Sequence, residues 1–377
     1  MSSREYFAQV AGDWDRLRAG FFSEAVREAA LKLAGVRPGP GLGQTAADLG
    51  AGTGFVTEAL LAAGLSVACV DQSPQMLDRL RAKYGASGRL TTHEGTAEAL
   101  PLPAASVDFV FANMFLHHVD DPARAIAEMA RIVRPGGKIV LTDLDSHSHD
   151  FLLNEHHDRW PGFPREDVKS WLQAAGLQAV RVECVGQNCC AESCSGSEKA
   201  QVSIFAAHAR RPLCAIPASQ ADPLAVGLLA RSFWDVERPL LCAESVLLAV
   251  SSGLGVASPL IPRLATGFCS GLSRTCGPCG AFSAGVMALG LVLGRDSGRD
   301  DLDETFGPAQ EFREYFLERF GSLNCQDLTG HDLGSPEGLQ AYRQQELKRT
   351  LCGPLLEDAA AQVVRILAEH QVSGQKG

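Results

Sequence analysis

The chain has 377 residues, 46% hydrophobic and 21% charged, with a formal net charge of −10. That composition is ordinary for a soluble globular protein and the length favours two domains over one. The acidity argues against a general nucleic-acid binder, which carries a basic face, and leaves small neutral or cationic substrates open.

The N-terminus, MSSREYFAQVAGDWDRLRAG, has no apolar signal core, so a cytoplasmic location is expected. Beyond it, short apolar runs alternate with helical patterns, the mark of a parallel, doubly wound sheet. Strands are predicted at Thr45–Gly50, Ser66–Asp71, Leu90–Gly95, Val107–Asn113, Lys138–Asp143, Ala179–Val185 and Gln201–Ala207. The clearest helices between them are Phe55–Ala63, Pro74–Tyr84, Pro122–Ile132 and Glu166–Ala175, and Arg134-Pro135-Gly136-Gly137 reads as a helix-ending turn before the fifth strand. The stretch RRPLCAIPASQADP, with three prolines and little periodicity, reads as a linker.

Past the linker only helical patterns remain: Leu224–Trp234, Ala243–Ser252, Pro259–Thr266, Ala281–Leu293, Ala309–Phe320, Leu339–Lys348 and Pro354–Glu369. The expected organisation is an α/β domain over residues 1–212, a linker over 213–222 and an all-α, cysteine-containing domain over 223–377. An uncharged run of 20 residues, Thr275 to Gly294, has the length of a membrane span. Its glycines, proline and cysteines make it read as a buried helix instead, so no membrane association is expected.

Asp48-Leu49-Gly50-Ala51-Gly52-Thr53-Gly54 closes the first strand and opens a helix. Glycines at 50, 52 and 54 let the backbone turn sharply and approach a ligand with no Cβ in the way. Asp71, nineteen residues after Gly52 at the carboxyl end of the second strand, is placed to accept both hydroxyls of a ribose.

Twelve cysteines without a secretion signal read as metal, catalytic or redox groups rather than structural disulfides. Cys69, in LSVACVD, reads as inert core; the other eleven lie between Cys184 and Cys352. Gln187 to Ser197, QNCCAESCSGS, reads as a loop leaving the sixth strand at the carboxyl edge of the sheet, where ligands bind. Cys184, Cys189, Cys190 and Cys194 are therefore expected to hang over the reacting centre, and Cys189, Cys190 and Cys194 to bind a thiophile together. The other candidates for a base are His117, His118, Asp143, Asp145, His147, His149, His156 and His157; the His117-His118 run reads as packing and loop structure.

The first 5–210 residues resemble the class I S-adenosylmethionine-dependent methyltransferases, in the small-molecule, quinone- and arsenite-methyltransferase-like branch. The resemblance is carried by DLGAGTG, VDQSPQML, EGTAEALPLP, FANMFLHHVDDP and RPGGKIVLTDL. It implies a Rossmann-like, seven-stranded domain with S-adenosyl-L-methionine as cofactor. Gly50, Gly52 and Gly54, after Asp48, would wrap the methionine part and Asp71 would hold the ribose. Gln72, Met76, Thr96 and Ala97 would line the adenine, and Asn113 would face the amino-acid end. Thr96 stands where the family often has Asp.

Residues 230–370 resemble a redox-type family named for its cysteine pattern, C…GCAxxG…C…C, through CAESVLLA, TCGPCGAFSAGVMALGL, FGSLNCQDLTGHDL and CGPLLEDAA. The resemblance implies redox or metal handling by Cys242, Cys279, Cys325 and Cys352, with Cys276 as an addition. A thiol at a helix N-terminus is expected to be held as thiolate. Three readings stay open. One is a methyltransferase for a metalloid such as arsenite, or for a thiol, with a fused dithiol domain that takes a thiol reductant. The others are an ordinary quinone-like C- or O-methyltransferase with accessory cysteines, and a non-enzymatic metal or redox sensor. The sequence names neither a bound metal nor an oligomeric state.

Overall fold

The computed structural model describes residues 3–36, 43–155, 157–193, 195–237, 239–295 and 302–373. The chain divides into two compact units, Met1–Pro212 and Leu213–Gly377.

The first unit is built on seven strands: β1 (Thr45–Leu49), β2 (Ser66–Asp71), β3 (Leu90–Glu94), β4 (Val107–Asn113), β5 (Val133–Leu144), β6 (Gln178–Glu192) and β7 (Lys199–Arg210). Their order is β3-β2-β1-β4-β5-β7-β6. β1 to β5 pair in parallel, and β7 runs antiparallel between β5 and β6. The central strands are apolar throughout because helices cover both faces. In β4, Phe109 and Phe111 enter the core beneath the helices Glu24–Ala34 and Phe55–Ala62, whereas Val110 and Ala112 enter the one beneath Pro122–Ile132 and Arg165–Ala174. Local chemistry fixes the helix starts. Ser73 before Pro74 accepts the Met76 N–H, and Asp121 before Pro122 accepts the Arg124 N–H.

Three differences from the sequence reading matter. The N-terminus forms helices Ser3–Val10, Trp14–Phe21 and Glu24–Ala34. β5 starts at Val133, opposite Val107, and the Arg134–Gly137 turn bulges out before Lys138 resumes opposite Phe109. The cysteine stretch is not a loop. β6 and β7 continue past the body of the sheet as a ribbon in which Cys189 pairs with Val202 and Cys190 with Gln201, beyond a bulge between Cys184 and Asn188. Small polar residues disguise this edge strand, since only one face of it is buried.

The second unit is helical, with its main helices at Pro223–Trp234, Cys242–Gly253, Gly280–Leu293, Asp303–Phe320, Pro336–Gln344 and Gly353–Ser373. A 3₁₀ turn, Arg263–Phe268, stands where a longer helix is predicted from Pro259. Ala218, in the expected linker, is buried in this unit's core. Gly285 lets Phe312 pack against its helix, since a Cβ there would lie 2.3 Å from that ring, and Phe282 stacks on Phe312 at 5.7 Å between centroids. Among the described residues no helix is long and apolar enough to cross a membrane.

Candidate active site

The turn after β1 makes a cavity at the carboxyl edge of the sheet. Gly50 has φ +63° and no room for a side chain, because a Cβ would lie 2.2 Å from the Phe115 ring. Gly54 starts the next helix at φ +99° against Tyr84. Across the turn, Asp71 at the end of β2 accepts the Gly52 N–H at 2.8 Å on one carboxylate oxygen and the Ser73 N–H at 2.9 Å on the other. These bonds lock the carboxylate in one orientation.

A cavity of about 300 Å³ brings together Gly50, Gly52, Asp71, Gln72, Met76, Thr96, Ala97 and Asn113. Asn113 accepts the Thr142 hydroxyl on Oδ1 at 2.7 Å, which leaves its amide hydrogens to donate. Gly54 and Asp48 lie off the cavity wall. Asp48 is buried behind it, accepting the Thr57 hydroxyl at 2.5 Å, and burial pushes its carboxyl up to about 7.

The cysteines divide. Alternation along β6 buries Cys189, which lines the cavity, and exposes Cys190; Cys184 is also exposed and off the cavity. Cys194 lies outside the described residues. The expected convergence of thiols is therefore corrected: among the described cysteines Cys189 alone reaches this cavity, and burial pushes its thiol up to about 12.

Sequence reasoning misses what covers the cavity and what closes its far end. Thr53 donates its hydroxyl to Asp15 at 2.6 Å and Lys83 pairs with the same carboxylate, so the helix Trp14–Phe21 is tied to the glycine turn. Phe7 stands edge-on to His118, with ring centroids 5.0 Å apart. The partners in these contacts are far apart in sequence, and only the aromatic residues of the first 22 positions hint at them.

At the far end, His117 Nδ1 meets Asp143 Oδ1 at 2.6 Å. Asp143 also accepts the N–H groups of Phe115, Leu116 and Leu144 at 3.2, 2.7 and 2.8 Å. His117 Nε2 and His118 Nδ1 face Asp158 Oδ1 at 3.8 and 3.7 Å. Burial pulls His117 down, but the Asp143 and Asp158 carboxylates outweigh it and hold the imidazole at about 9. Burial raises Asp158 to about 6 against the pull of His117. The remaining base candidates stand apart. Asp145 accepts from Arg165 Nε and one terminal guanidinium nitrogen at 2.7 and 2.6 Å, His147, His149 and His157 do not line the cavity, and His156 lies outside the described residues.

In the second unit, Cys242, Cys279, Cys325 and Cys352 line one small cavity of about 40 Å³. Cys276 lies outside it and donates to Asp332 at 3.3 Å. The expectation of stabilised thiolates is corrected. Cys279 caps its helix, yet burial outweighs the Phe282 and Ala281 amides and drives it up to about 12. Burial takes Cys325 to about 11. It also raises Cys352, against the Tyr342 hydroxyl that donates to its sulfur at 3.4 Å.

The sheet order, the glycine turn and the acidic end of β2 define a class I, Rossmann-like methyltransferase domain. Residues 47–141 match the family model described as "Methyltransferase domain", and residues 240–366 match the one described as "Putative redox-active protein (C_GCAxxG_C_C)". The chain thus carries an S-adenosylmethionine-dependent methyltransferase domain followed by a C_GCAxxG_C_C domain.

An uncharacterized methyltransferase of Mycobacterium bovis is 41% identical over 135 residues, 36% of this chain and 50% of its own length. The rice (Oryza sativa subsp. japonica) chloroplastic 2-methyl-6-phytyl-1,4-hydroquinone methyltransferase 1 is 31% identical over 173 residues, 45% of this chain and 51% of its own. The chain spans about half the length of these relatives. The solved YcgJ protein of Bacillus subtilis is 17% identical with a TM-score of 0.41, covering 50% of this chain and 98% of that one.

Proposed function

We propose that the first unit transfers a methyl group from S-adenosylmethionine to a small, largely apolar acceptor bearing a hydroxyl group, of the hydroquinone type. One observation carries this reading. The cavity that holds the glycine turn and Asp71 is lined as well by the apolar Phe7, Phe22, Met114 and Leu152 and by His117, His118 and Asp158. The donor set fits the cofactor: an oriented carboxylate for a ribose, an amide at Asn113, and bare backbone at Gly50 and Gly52. When bound, the cofactor supplies an electrophilic methyl on a sulfonium. The chain orients it, excludes water with the helices of the first 22 residues, and anchors the acceptor's hydroxyl at the histidine wall. The similarity to a hydroquinone methyltransferase supports the acceptor class.

A trivalent metalloid acceptor has less support. Such a centre needs several thiolates, and the described cavity wall offers one neutral thiol, Cys189. The four cysteines that share the second unit's small cavity support thiol–disulfide exchange, and the free thiols of the eleven described cysteines fit a reducing cytoplasm.

The test is transfer of labelled methyl from S-adenosylmethionine to a panel of hydroquinones, phenols, small thiols and arsenite. Hydroquinones are expected to be labelled, and labelling of arsenite or thiols alone overturns the reading. Asp71→Ala should weaken cofactor binding by about 2–4 kcal/mol, roughly 30- to 700-fold. Unchanged calorimetric affinity would remove Asp71 from the ribose site.

A further inference from the structure

We infer that His117, His118 and Asp158 form a site for one divalent cation at the acceptor end of the cavity. Among the described residues this is the group of three or more His, Cys, Asp or Glu side chains whose ligand atoms all lie within 4.8 Å of one another. The two histidine-to-carboxylate separations are 3.8 and 3.7 Å. Ligands about 2.0–2.2 Å from a tetrahedral ion lie roughly 3.4 Å apart, so both histidine–carboxylate pairs stand within a few tenths of an ångström of that spacing, and the two histidine nitrogens lie within 4.8 Å of each other.

The surroundings are those of a ligand set. Asp143 takes the Nδ1 side of His117 at 2.6 Å, which leaves Nε2 as the nitrogen that faces Asp158; a cation bound there would take the place of the Nε2 proton. A carboxylate behind a ligating histidine is the usual support of a metal-binding imidazole. Asp143 is itself held by three backbone N–H groups. Asp158 is held next to the pair because the following two residues, Arg159 and Trp160, both donate their N–H to the His117 carbonyl, at 2.9 and 3.2 Å. The Trp160 indole donates to the Val119 carbonyl at 2.9 Å. Both sides of the site are thereby fixed to the 3₁₀ turn Leu116–His118 and the residue after it.

All three side chains line the cavity, so an ion held by them would be reachable by a ligand bound there. Two imidazoles and one carboxylate suit Mn2+, Fe2+ or Zn2+. With a dication they leave one positive charge, which an acceptor oxyanion neutralises. This acceptor role rests on the methyl-transfer reading; the cation site does not.

The test uses the full-length protein and Mn2+, a hard ion that the cysteines bind poorly. Loss of the free-ion electron paramagnetic resonance signal should report one site per chain. His118→Gln and Asp158→Asn should each weaken it at least tenfold, and Asp143→Asn should weaken it roughly 10- to 100-fold. Cys189→Ser should leave it unchanged, and retained cofactor affinity by calorimetry shows that a variant is folded. An unreduced Mn2+ signal with wild-type protein overturns the site, as does equal binding by the folded His118→Gln and Asp158→Asn variants. Cation binding without binding of S-adenosylmethionine would keep the site and remove the methyl-transfer reading; the converse removes the site alone.

Discussion

Asp48 stands one residue before the glycine turn's first wall residue, yet the fold uses it from behind. Its carboxyl is 2% exposed and burial raises it from 3.8 to about 7. A folded-state value above the unfolded one means that this group's contribution to stability is complete below about pH 4. It is lost as the pH climbs through 7, at about 1.4 kcal/mol per unit. The cofactor-free protein should therefore melt lower at pH 7 than at pH 5, and Asp48→Asn should flatten that slope. Asp158, raised to about 6, titrates over part of the same window, so the difference between the two melting curves isolates Asp48. Superimposable pH profiles would show that Asp48 ionises freely in the folded chain. Asp71 was legible because its partners, Gly52 and Ser73, are set by the same strand-turn pattern that identifies it. Asp158 was not, because it meets the histidines across some forty residues of chain and nothing local marks it.

The strands and helices of the sheet could be read from apolar runs and caps, since both signals are local. The β6–β7 ribbon could not, because an edge strand buries alternate residues and its exposed half looks like loop. That alternation also gives the thiols different chemistry. The Ser203 hydroxyl, the Gly186 N–H and Arg165 hold the exposed Cys184 thiol below its ordinary value, while Cys189 is pushed up to about 12. Iodoacetamide at pH 7.5 should therefore modify Cys184 well before Cys189 or Cys279, as followed by peptide mass spectrometry. Faster labelling of Cys189 would mean that the ribbon does not hold the register seen here. The missed N-terminal helices follow the same rule: their holding contacts, such as Asp15 with Thr53, are long-range.

At the scale of the whole chain, each hydrophobic core belongs to one unit; the helical unit's core runs from Ala218 to Leu367. Among the described residues, those lining the cofactor cavity fall between Arg4 and Ala191. Mild oxidation of the full-length protein should therefore form a disulfide among Cys242, Cys279, Cys325 and Cys352, which share one cavity, without involving Cys276 and without changing affinity for S-adenosylmethionine. Mapping of the disulfide by mass spectrometry, with calorimetry on the same sample, checks both parts; a Cys276 disulfide or an altered affinity contradicts them. The resemblance to a four-cysteine family marked these thiols in advance, but the upward push on Cys279, Cys325 and Cys352 comes from burial that no motif records. The β6 bulge bears on how this protein can gain or lose residues. β6 advances four positions from Cys184 to Asn188 while β7 covers two, from Phe205 to Ser203, so two residues of β6 stand outside the ladder's one-to-one pairing. An insertion or deletion there can be taken up locally, leaving Cys189 and Ala191 on the cavity wall. A single deletion at Cys190 would instead invert the ribbon beyond it and turn Ala191 out toward water.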